Sequence, residues 1–277
     1  MPELPEVEVT RRGLLPHLPG KTVAGVFWSG KRLRAAMPCA LLRDEIQGRT
    51  IRTVDRRAKY LLIRMAGGAV LVIHLGMTGR LGIFPGQTPL ARHDHLRLRL
   101  GDGMDLRFND SRRFGSVAVW PAARADACEQ EFAGRQGIEP LGDRFHADNL
   151  IRLARNRRMP VKTFLMDSRL VAGIGNIYAN EILFAARLSP WTAAGTLDFQ
   201  QWQAIACNGR EILLRAIKAG GSTIADFIGS SGQPGYFQLQ LAVYGRKGEN
   251  CPRCQAGINK KVLAGRATFF CPVCQQE

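Results

Sequence analysis

Two pairs of cysteines near the C-terminus constrain the fold most strongly. The members of each pair are three positions apart, as Cys251-Pro-Arg-Cys254 and Cys271-Pro-Val-Cys274, and residues 255–270 separate the pairs. Two thiolates at this spacing share a metal ion on a tight turn, and two such turns complete the four sulfur ligands of a structural zinc site. The same cysteines would also allow two disulfides or a redox motif. We predict one structural zinc, because a tail of this length has little core and needs the metal to fold.

The segment between the two cysteine pairs has the pattern of a β-hairpin. Residues 258–270 read as two strands around Ala264-Gly265-Arg266, which leaves Arg266 at the hairpin tip. The tail from 242 to 277 contains two acids and six basic residues, namely Arg246, Lys247, Arg253, Lys260, Lys261 and Arg266. A basic zinc hairpin of this kind is suited to contact phosphates or a groove of nucleic acid.

The whole chain is strongly basic, which indicates a polyanionic partner. Its 277 residues include 39 Lys and Arg against 23 Asp and Glu, a net charge of +16, and the isoelectric point is about 10.3. This charge favours nucleic acid, although solubility or a ribosome-associated surface would also explain it. No apolar run of about 18 residues is present. Because the acidic, proline-containing start is unlike a secretory signal, we expect a cytoplasmic protein with its other cysteines reduced.

The first 125 residues predict a β-rich domain preceded by one helix. Pro5 suits the first turn of that helix, and Gly20 is expected to end it. From Val23 to Trp120 apolar and polar residues alternate, and glycine-containing turns at 66–68 and 101–103 mark two hairpins. Several strands with one wet face imply a pair of sheets, so we predict an N-terminal β-sandwich domain with a flanking helix over residues 1–125.

Beyond this domain the hydrophobic period becomes helical. Charged residues with weak periodicity over 126–146 predict an interdomain linker. Helices are expected over four ranges, 147–156, 160–167, 176–187 and 198–219, and Gly173 and Gly175 separate two of them in a helix–two-turns–helix arrangement. This second domain would cover 147–241 and contain a long loop at about 220–240. The expected fold class is α+β with two domains, ending in the zinc β-hairpin at 242–277.

Motifs along the whole chain resemble those of one enzyme family. The chain opens with Pro2-Glu3-Leu4-Pro5-Glu6, and Lys59 lies in Arg57-Ala58-Lys59-Tyr60. Further motifs follow in order: His74-Leu75-Gly76-Met77-Thr78-Gly79, His93-Asp94-His95, Asn109-Asp110-Ser111-Arg112-Arg113-Phe114-Gly115, Gly173-Ile174-Gly175-Asn176-Ile177-Tyr178, Val243-Tyr244-Gly245-Arg246 and the zinc hairpin. From these motifs the chain resembles the bacterial formamidopyrimidine-DNA glycosylases from end to end. The resemblance implies a monomeric base-excision repair enzyme that acts on double-stranded DNA containing oxidised bases or abasic sites.

The resemblance also implies a covalent mechanism. Pro2, once the initiator methionine is removed, would attack the sugar C1′ with its amine, and Glu3 would be the general acid. An α-amine titrates at about 7.7–8.0 and a lysine at about 10.4, so more of the α-amine is unprotonated at neutral pH. Lys59 and Arg266 would serve the β- and δ-eliminations as proton donors, although an arginine is always protonated and suits phosphate binding better. Glu6 would be either a supporting carboxylate or a helix-dipole acid.

The resemblance further implies which side chains hold the DNA. Met77, Arg112 and Phe114 match the trio that the family inserts into the duplex when the damaged base is flipped out. Contacts with phosphates or the backbone are implied for His74, His93, Arg113, Arg157, Lys162, Asn176 and Tyr244. The loop at about 220–240 would be a lesion-recognition loop that covers a flipped oxidised purine.

Three functions compete at this point. The first is a bifunctional glycosylase and AP lyase for 8-oxoguanine and formamidopyrimidines. The second is a zinc-dependent DNA-binding protein without chemistry, which would need none of the catalytic residues just named. The third is the related endonuclease VIII branch, which prefers oxidised pyrimidines and typically has glycine where this chain has Leu4. Two departures from the family pattern, Ser111 for proline and Gln255 for glycine, are peripheral to catalysis.

Overall fold

The structure is a computed structural model that describes residues 2–220 and 241–276. Within these ranges the chain forms two compact units. Unit 1 covers residues 2–133, and unit 2 covers residues 134–219 and 241–276. No helix in the described ranges is long and apolar enough to cross a lipid bilayer.

Unit 1 begins with the helix α1, Leu4–Leu14. Glu3 is its N-cap residue and Pro5 lies in its first turn, where proline lacks only an N–H that would have no helical partner. The apolar residues Leu4, Val7 and Leu14 are fully buried, which fixes the helix by its apolar face. Gly20 was expected to end this helix. The helix ends six residues earlier, at Leu14, and the residues that follow form turns.

Eight strands of unit 1 form two four-stranded antiparallel sheets. They are β1 Val23–Trp28, β2 Ile51–Arg57, β3 Tyr60–Met65, β4 Val70–His74, β5 Arg80–Pro85, β6 Asp94–Leu100, β7 Met104–Asn109 and β8 Ser116–Trp120. One sheet has the order β1-β6-β7-β5 and the other β2-β3-β4-β8. Apolar side chains of both sheets share one core, which confirms the predicted β-sandwich, and the hairpins β3–β4 and β6–β7 are those expected from the sequence.

Two short helical segments of unit 1 were not predicted. Residues Cys39–Leu41 form the short helix α2, which runs directly into a π-helical turn at Leu42–Ile46. The helix α3, Ala125–Gly134, overlaps the stretch 126–146 that was predicted to be a linker. It packs through Phe132 against the rings of Tyr60 and Trp120. The sequence signal was weak because Ala125 is the only residue of α3 that is buried.

Unit 2 is helical, as the sequence predicts. Its helices are α4 Ala147–Ala154, α5 Val161–Met166, α6 Asn176–Ala185 and α7 Phe199–Lys218. Gly173 separates α5 from α6 with a φ of +92°, a conformation that side chains disfavour. The core of the unit contains the buried rings of Phe164, Tyr178 and Trp202.

A two-stranded antiparallel hairpin closes unit 2. Its strands are β9 Asn259–Leu263 and β10 Arg266–Phe270, and the two residues between them, Ala264 and Gly265, have φ angles of +48° and +72°. Positive φ at both central residues is typical of a type I′ turn, which matches the twist of the flanking strands. Arg266 is exposed at the tip, as expected from the sequence.

Candidate functional site

The first turn of α1 buries two carboxylates beside Pro2. Glu3 is 1% exposed and Glu6 is 3% exposed. Glu6 Oε2 accepts the backbone N–H of Glu3 at 2.8 Å, and the Glu3 side chain accepts the backbone N–H of Glu6 in a reciprocal capping box. This pair fixes the backbone on the C-terminal side of Pro2 and keeps both acids in a position from which water is largely excluded.

Lys59 lies in the tight turn of the hairpin on which α1 packs. The turn consists of Ala58, with a φ of +53°, and Lys59, and α1 contacts both strands that the turn joins. Arg56 closes the arrangement, because its Nη1 donates to the Ala58 carbonyl oxygen at 2.9 Å and its Nε donates to Glu8 at 3.2 Å. The turn that carries Lys59 is therefore linked to α1 by a side chain.

Glu8 organises this link through three arginines. Arg11, Arg12 and Arg56 all donate to its carboxylate, at distances from 2.8 to 3.2 Å. Burial by itself would raise the pKa of Glu8, but the hydrogen bonds from Arg11 and Arg12 and the nearby positive charges outweigh it and lower that pKa to about 2. Glu8 therefore stays ionised at neutral pH and holds α1 against β2.

His74, at the end of β4, is held as a neutral hydrogen-bond donor. Burial, followed by the positive charges of Lys59 and Arg34, lowers its pKa to about 4. Its Nδ1 accepts the backbone N–H of Gly76 at 3.1 Å, so the proton of the neutral ring lies on Nε2. A neutral imidazole with this tautomer offers its Nε2–H to an anionic oxygen, which is the chemistry expected of a phosphate contact.

The three expected wedge residues lie in two adjoining loops. Met77 follows β4, and Arg112 and Phe114 follow β7. Met77 is half-buried, whereas Arg112 is exposed and Phe114 is 46% exposed, with the guanidinium 4.7 Å from the ring centre. The structure thus brings the trio together on unit 1, with an apolar ring and a cation open to solvent. Arg113, between them, is exposed and has a φ of +58°.

Asp110 is a residue of this region that the sequence interpretation did not single out. It is fully buried, and its carboxylate accepts the Thr78 hydroxyl at 2.6 Å and the Gly115 N–H at 2.7 Å. Its carbonyl oxygen accepts the Nε2–H of His95 at 3.0 Å. The sequence signal for Asp110 was its position as the one acid in the basic motif Asn109–Phe114. A lone carboxylate beside two arginines could have been predicted to have a structural role.

His93 belongs to a basic depression in unit 1. The half-buried ring lines a cavity of about 440 Å³ together with Arg80, Phe84, Arg92 and Arg107. Arg107 is 3% exposed and donates to Asp105 at 2.9 Å, so its charge is largely balanced. The position is compatible with the expected contact of His93 with a DNA backbone.

In unit 2 the strand that carries Arg266 is attached to two helices. Lys162 Nζ donates to the Ala267 carbonyl oxygen at 3.0 Å and to Thr268 Oγ1 at 2.7 Å. Asn176 Nδ2 donates to the same Ala267 oxygen at 3.0 Å. Lys162 was expected to contact DNA, but its side chain is 1% exposed and bound to the hairpin, which fits a positioning role rather than a phosphate contact.

Of the other expected contacts in unit 2, Arg157 is exposed. Its Nε donates to the Leu153 carbonyl oxygen at 2.7 Å, which anchors the guanidinium of an otherwise exposed residue. Asn176 is half-buried at the first position of α6. That position lies next to the backbone N–H groups of a helix N-terminus, which favour an anion.

Tyr244 is held by Glu181, a second residue that the sequence interpretation missed. The Glu181 carboxylate accepts three consecutive backbone N–H groups, those of Ala242, Val243 and Tyr244, at 2.7, 2.9 and 2.9 Å. The Tyr244 ring lies 5.1 Å from that of Phe269. The sequence signal for Glu181 was its position as an acid in the otherwise apolar helix α6.

The expected lesion-recognition loop at about 220–240 lies outside the described residues from residue 221 onward.

The four expected zinc ligands converge. The sulfurs of Cys251, Cys254, Cys271 and Cys274 all lie within 4.8 Å of one another. Two of the separations are 3.9 Å and 3.4 Å, close to the ~3.8 Å that Zn–S bonds of about 2.3 Å impose on a tetrahedron. The residues therefore fit one structural zinc. Gln255, which replaces the usual glycine, takes a φ of +65°.

Comparisons with known proteins agree with this geometry over the whole chain. The family model described as the formamidopyrimidine-DNA glycosylase N-terminal domain matches residues 1–117, and the H2TH domain of the same glycosylases matches residues 136–228. A zinc finger found in FPG and IleRS matches residues 248–276. A formamidopyrimidine-DNA glycosylase from Alkalilimnicola ehrlichii is 49% identical over 282 residues, and one from Stenotrophomonas maltophilia is 47% identical over 276 residues, with all of each chain covered.

Solved structures of a Lactococcus lactis protein have the same fold. An FPG mutant in complex with DNA containing Fapy-dG has a TM-score of 0.91 at 33% identity and covers all of both chains. A complex of L. lactis Fpg with DNA containing an abasic site has a TM-score of 0.90 at 33% identity and covers 99% of this chain and all of that one.

Proposed function

Because the chain belongs to the family of formamidopyrimidine-DNA glycosylases, a family of base-excision repair enzymes, we propose that it excises oxidised purines through a covalent bond to Pro2. Its partner is duplex DNA that contains oxidised bases or abasic sites, as in the related complexes. We place the enzyme in the cytoplasm, beside the nucleoid, and its bacterial relatives support the cytoplasmic part of this proposal. We also propose a catalytic domain at 1–125, a linker at 126–146, a helix–two-turns–helix domain at 147–241 and a zinc hairpin at 242–277. These bounds are close to those of the matching family models.

The proposed chemistry begins at the nitrogen of Pro2. After removal of the initiator methionine, the lone pair of this amine forms a bond with the sugar C1′, and the bond from C1′ to the base breaks. The base leaves with the electron pair and takes up a proton, and opening of the sugar ring gives an iminium ion. The iminium makes the C2′ proton acidic, so β-elimination releases the 3′ phosphate and δ-elimination then releases the 5′ phosphate.

One observation carries this proposal: two buried carboxylates, Glu3 and Glu6, flank the backbone next to Pro2. A helix needs a single acceptor at its N-cap, and an exposed Ser or Asp would suffice. Burial of two acids is costly even when each accepts a backbone hydrogen bond, so a helix cap alone does not account for the pair. We assign to Glu3 the transfer of a proton to the sugar oxygen or the departing base, and to Glu6 the orientation of Glu3.

The strand-cleavage steps are assigned to Lys59 and Arg266. Lys59 lies on a turn that is held rigidly through Arg56 and Glu8, which favours the fixed geometry that proton transfer needs. Arg266 is exposed at the tip of a hairpin whose neighbouring residues are bonded to Lys162 and Asn176. Its permanent charge suits a grip on the phosphate that leaves in δ-elimination. The zinc ion, by holding the hairpin, supplies structure and no chemistry.

The DNA is held, in this proposal, by the donors of both units. In unit 1 these are the neutral His74, His93 and the exposed Arg113, and in unit 2 they are Arg157, Asn176 and Tyr244. Met77, Arg112 and Phe114 fill the space that the extruded nucleotide leaves in the stack. The ring of Phe114 can stack on the unpaired bases, and the cation of Arg112 can attract the negatively charged strand.

A second substrate class is favoured by one comparison. A wild-type L. lactis Fpg with a TM-score of 0.88 and 33% identity was solved with DNA that contains an oxidized pyrimidine. Oxidised pyrimidines are therefore the alternative substrate. The purine proposal predicts that they are excised more slowly, because a site that fits a purine contacts the smaller pyrimidine ring over less area.

The test compares single-turnover excision on three duplexes, with 8-oxoguanine, with thymine glycol and without damage. We expect 8-oxoguanine to be excised fastest and the undamaged duplex to be left intact. The variant Glu3→Gln should reduce excision by at least about 100-fold, the usual contribution of a general acid. Glu211→Gln removes an exposed glutamate of α7 and serves as the matched control. No excision by the wild type, or an unimpaired Glu3→Gln, would refute the proposal.

A further inference from the structure

The two loops that carry the wedge residues are joined by one hydroxyl group. Thr78 Oγ1 donates to Asp110 Oδ1 at 2.6 Å and accepts the backbone N–H of Arg112 at 3.1 Å. A hydroxyl has one proton and two lone pairs, so it can make both bonds at once. Thr78 belongs to the loop after β4, and its two partners belong to the loop after β7. The bonds therefore cross from one loop to the other.

Asp110, which binds the Thr78 hydroxyl, also forms hydrogen bonds within the loop after β7. Its Oδ2 accepts the N–H of Gly115 at 2.7 Å, and its carbonyl oxygen accepts the N–H of Arg113 at 3.3 Å. The carbonyl oxygen is also bound by His95 at 3.0 Å, whose other ring nitrogen accepts from Ser29 at 2.9 Å. Since Asp110 is fully buried, these bonds are shielded from competition with water.

Close backbone packing adds to the hydrogen bonds. A Cβ atom on Gly76 would lie 2.4 Å from the carbonyl carbon of Phe114 and 2.4 Å from the nitrogen of Gly115. Gly76 also has a φ of +65°, which favours glycine. The two loops are thus in direct backbone contact, on the side of Met77 opposite to Thr78.

Each wedge side chain consequently projects from a fixed backbone. Met77 lies between Gly76 and Thr78, Arg112 is bonded through its own N–H, and Phe114 precedes the bonded Gly115. The side chains themselves are open to solvent or half-buried. A wedge that is ordered before it meets DNA loses less conformational entropy when it enters the stack.

We propose that Thr78 and Asp110 are positioning residues that hold Met77, Arg112 and Phe114 in one arrangement for extruding the damaged nucleotide. The inference rests on the proposed glycosylase function. It assigns no contact between Thr78 and DNA, and none between Asp110 and DNA. The effect is confined to the step at which the base leaves the stack. An abasic nucleotide has no base to unpair, so its extrusion needs less help.

The experiment uses the full-length enzyme with Thr78→Val, which keeps the shape and removes the hydroxyl. Single-turnover excision of 8-oxoguanine should fall about tenfold, because both hydrogen bonds of the hydroxyl are lost. Cleavage of a preformed abasic site should fall by less than about threefold, because extrusion is then easier. Thr78→Ser restores the hydroxyl and should recover excision. Thr22→Val, which removes a hydroxyl bonded to Thr50 elsewhere in unit 1, is the matched control.

A double-mutant cycle separates positioning from general loosening. In a Met77→Ala background, Thr78→Val should cost less than it does alone, because one of the three side chains that Thr78 helps to position is already missing. If Thr78→Val impairs folding, Thr78→Ala replaces it, because alanine introduces no new atoms. Thr78→Ala should likewise reduce excision of 8-oxoguanine more than cleavage of the abasic site. Equal losses on both substrates, no recovery with serine, or an undiminished loss in the Met77→Ala background would overturn the inference. A wild type that fails to excise would instead refute the proposed function.

Discussion

The backbone N–H of Glu3 donates to the carboxylate of Glu6 at 2.8 Å, and both side chains are almost completely buried. The bond fixes the peptide that follows Pro2. It also explains part of the role of Glu6, for which the sequence left two interpretations: a supporting carboxylate or a helix-dipole acid. The reciprocal capping box shows that Glu6 stabilises the helix start.

Glu6→Gln separates the structural role of this side chain from its charge. The amide oxygen can still accept the Glu3 N–H, so the free energy of unfolding should change by less than about 0.5 kcal/mol. Excision should nevertheless fall at least about tenfold, because the buried negative charge beside Pro2 favours the cationic iminium. Urea unfolding and single-turnover excision measure the two effects. Full activity of Glu6→Gln would show that only the capping bond matters.

His74 should make the folded protein less stable in mild acid. Its pKa is about 4 in the folded state and about 6.5 in an unfolded chain. Between these values the unfolded chain binds the extra proton, so stability is lost as the pH falls from about 6.5 towards 4. The loss from pH 7 to pH 5 should be about 2 kcal/mol for this residue.

The contribution of His74 can be isolated with His74→Asn. The asparagine oxygen can accept the Gly76 N–H but does not titrate in this range. Burial also lowers the pKa of His95, so some loss of stability should persist in the variant. Glu8, with a pKa of about 2, contributes stability that is lost only as the pH falls below about 4.5. An identical pH dependence of unfolding in wild type and His74→Asn would contradict the assigned burial.

Lys162 and Arg157 should behave differently towards salt. Arg157→Ala removes an exposed cation, so the slope of log affinity against log salt for duplex binding should fall by about 1. Lys162→Met removes a buried charge bonded to β10. It should leave that slope unchanged and lower the stability by about 1 kcal/mol. The same slope change in both variants would mean that Lys162 reaches the DNA after all.

Gln255 should place a small strain on the zinc-binding turn. Its φ of +65° lies in the left-handed region, where a residue with a side chain costs about 1 kcal/mol. Gln255→Gly should therefore slow zinc release to a chelator by a few-fold, as a colorimetric metal indicator would show. Gln276→Gly, a change outside the left-handed turn, is the control. Faster release from Gln255→Gly would indicate that the glutamine side chain supports the site.

The elements that the sequence predicted best were those with a strong period. The helices α4 and α7 and the hairpins β3–β4 and β6–β7 have apolar residues at the spacing of their buried faces, so pattern and structure agree. The helix α6 is buried on all sides, and its apolar run was the signal. The helix α3 was missed because it buries little of its surface. Lys162 was expected on the surface because it ends a basic segment, and no pattern shows that its amine is bonded to a strand 105 positions away. Glu181 was missed for the same reason, since its partners are backbone N–H groups 61 to 63 positions away. Asp110 was missed because no pattern shows that its carboxylate is bonded to the hydroxyl of Thr78, 32 positions away.

The central claim, that Pro2 is the nucleophile, is tested most directly by trapping the covalent intermediate. The full-length enzyme is incubated with a duplex containing 8-oxoguanine opposite cytosine in the presence of sodium borohydride, and the adduct is mapped by mass spectrometry. The account predicts a reduced crosslink between the sugar C1′ and the nitrogen of Pro2, in protein that has lost its initiator methionine. An adduct on Lys59, or active protein that retains the methionine, would contradict it.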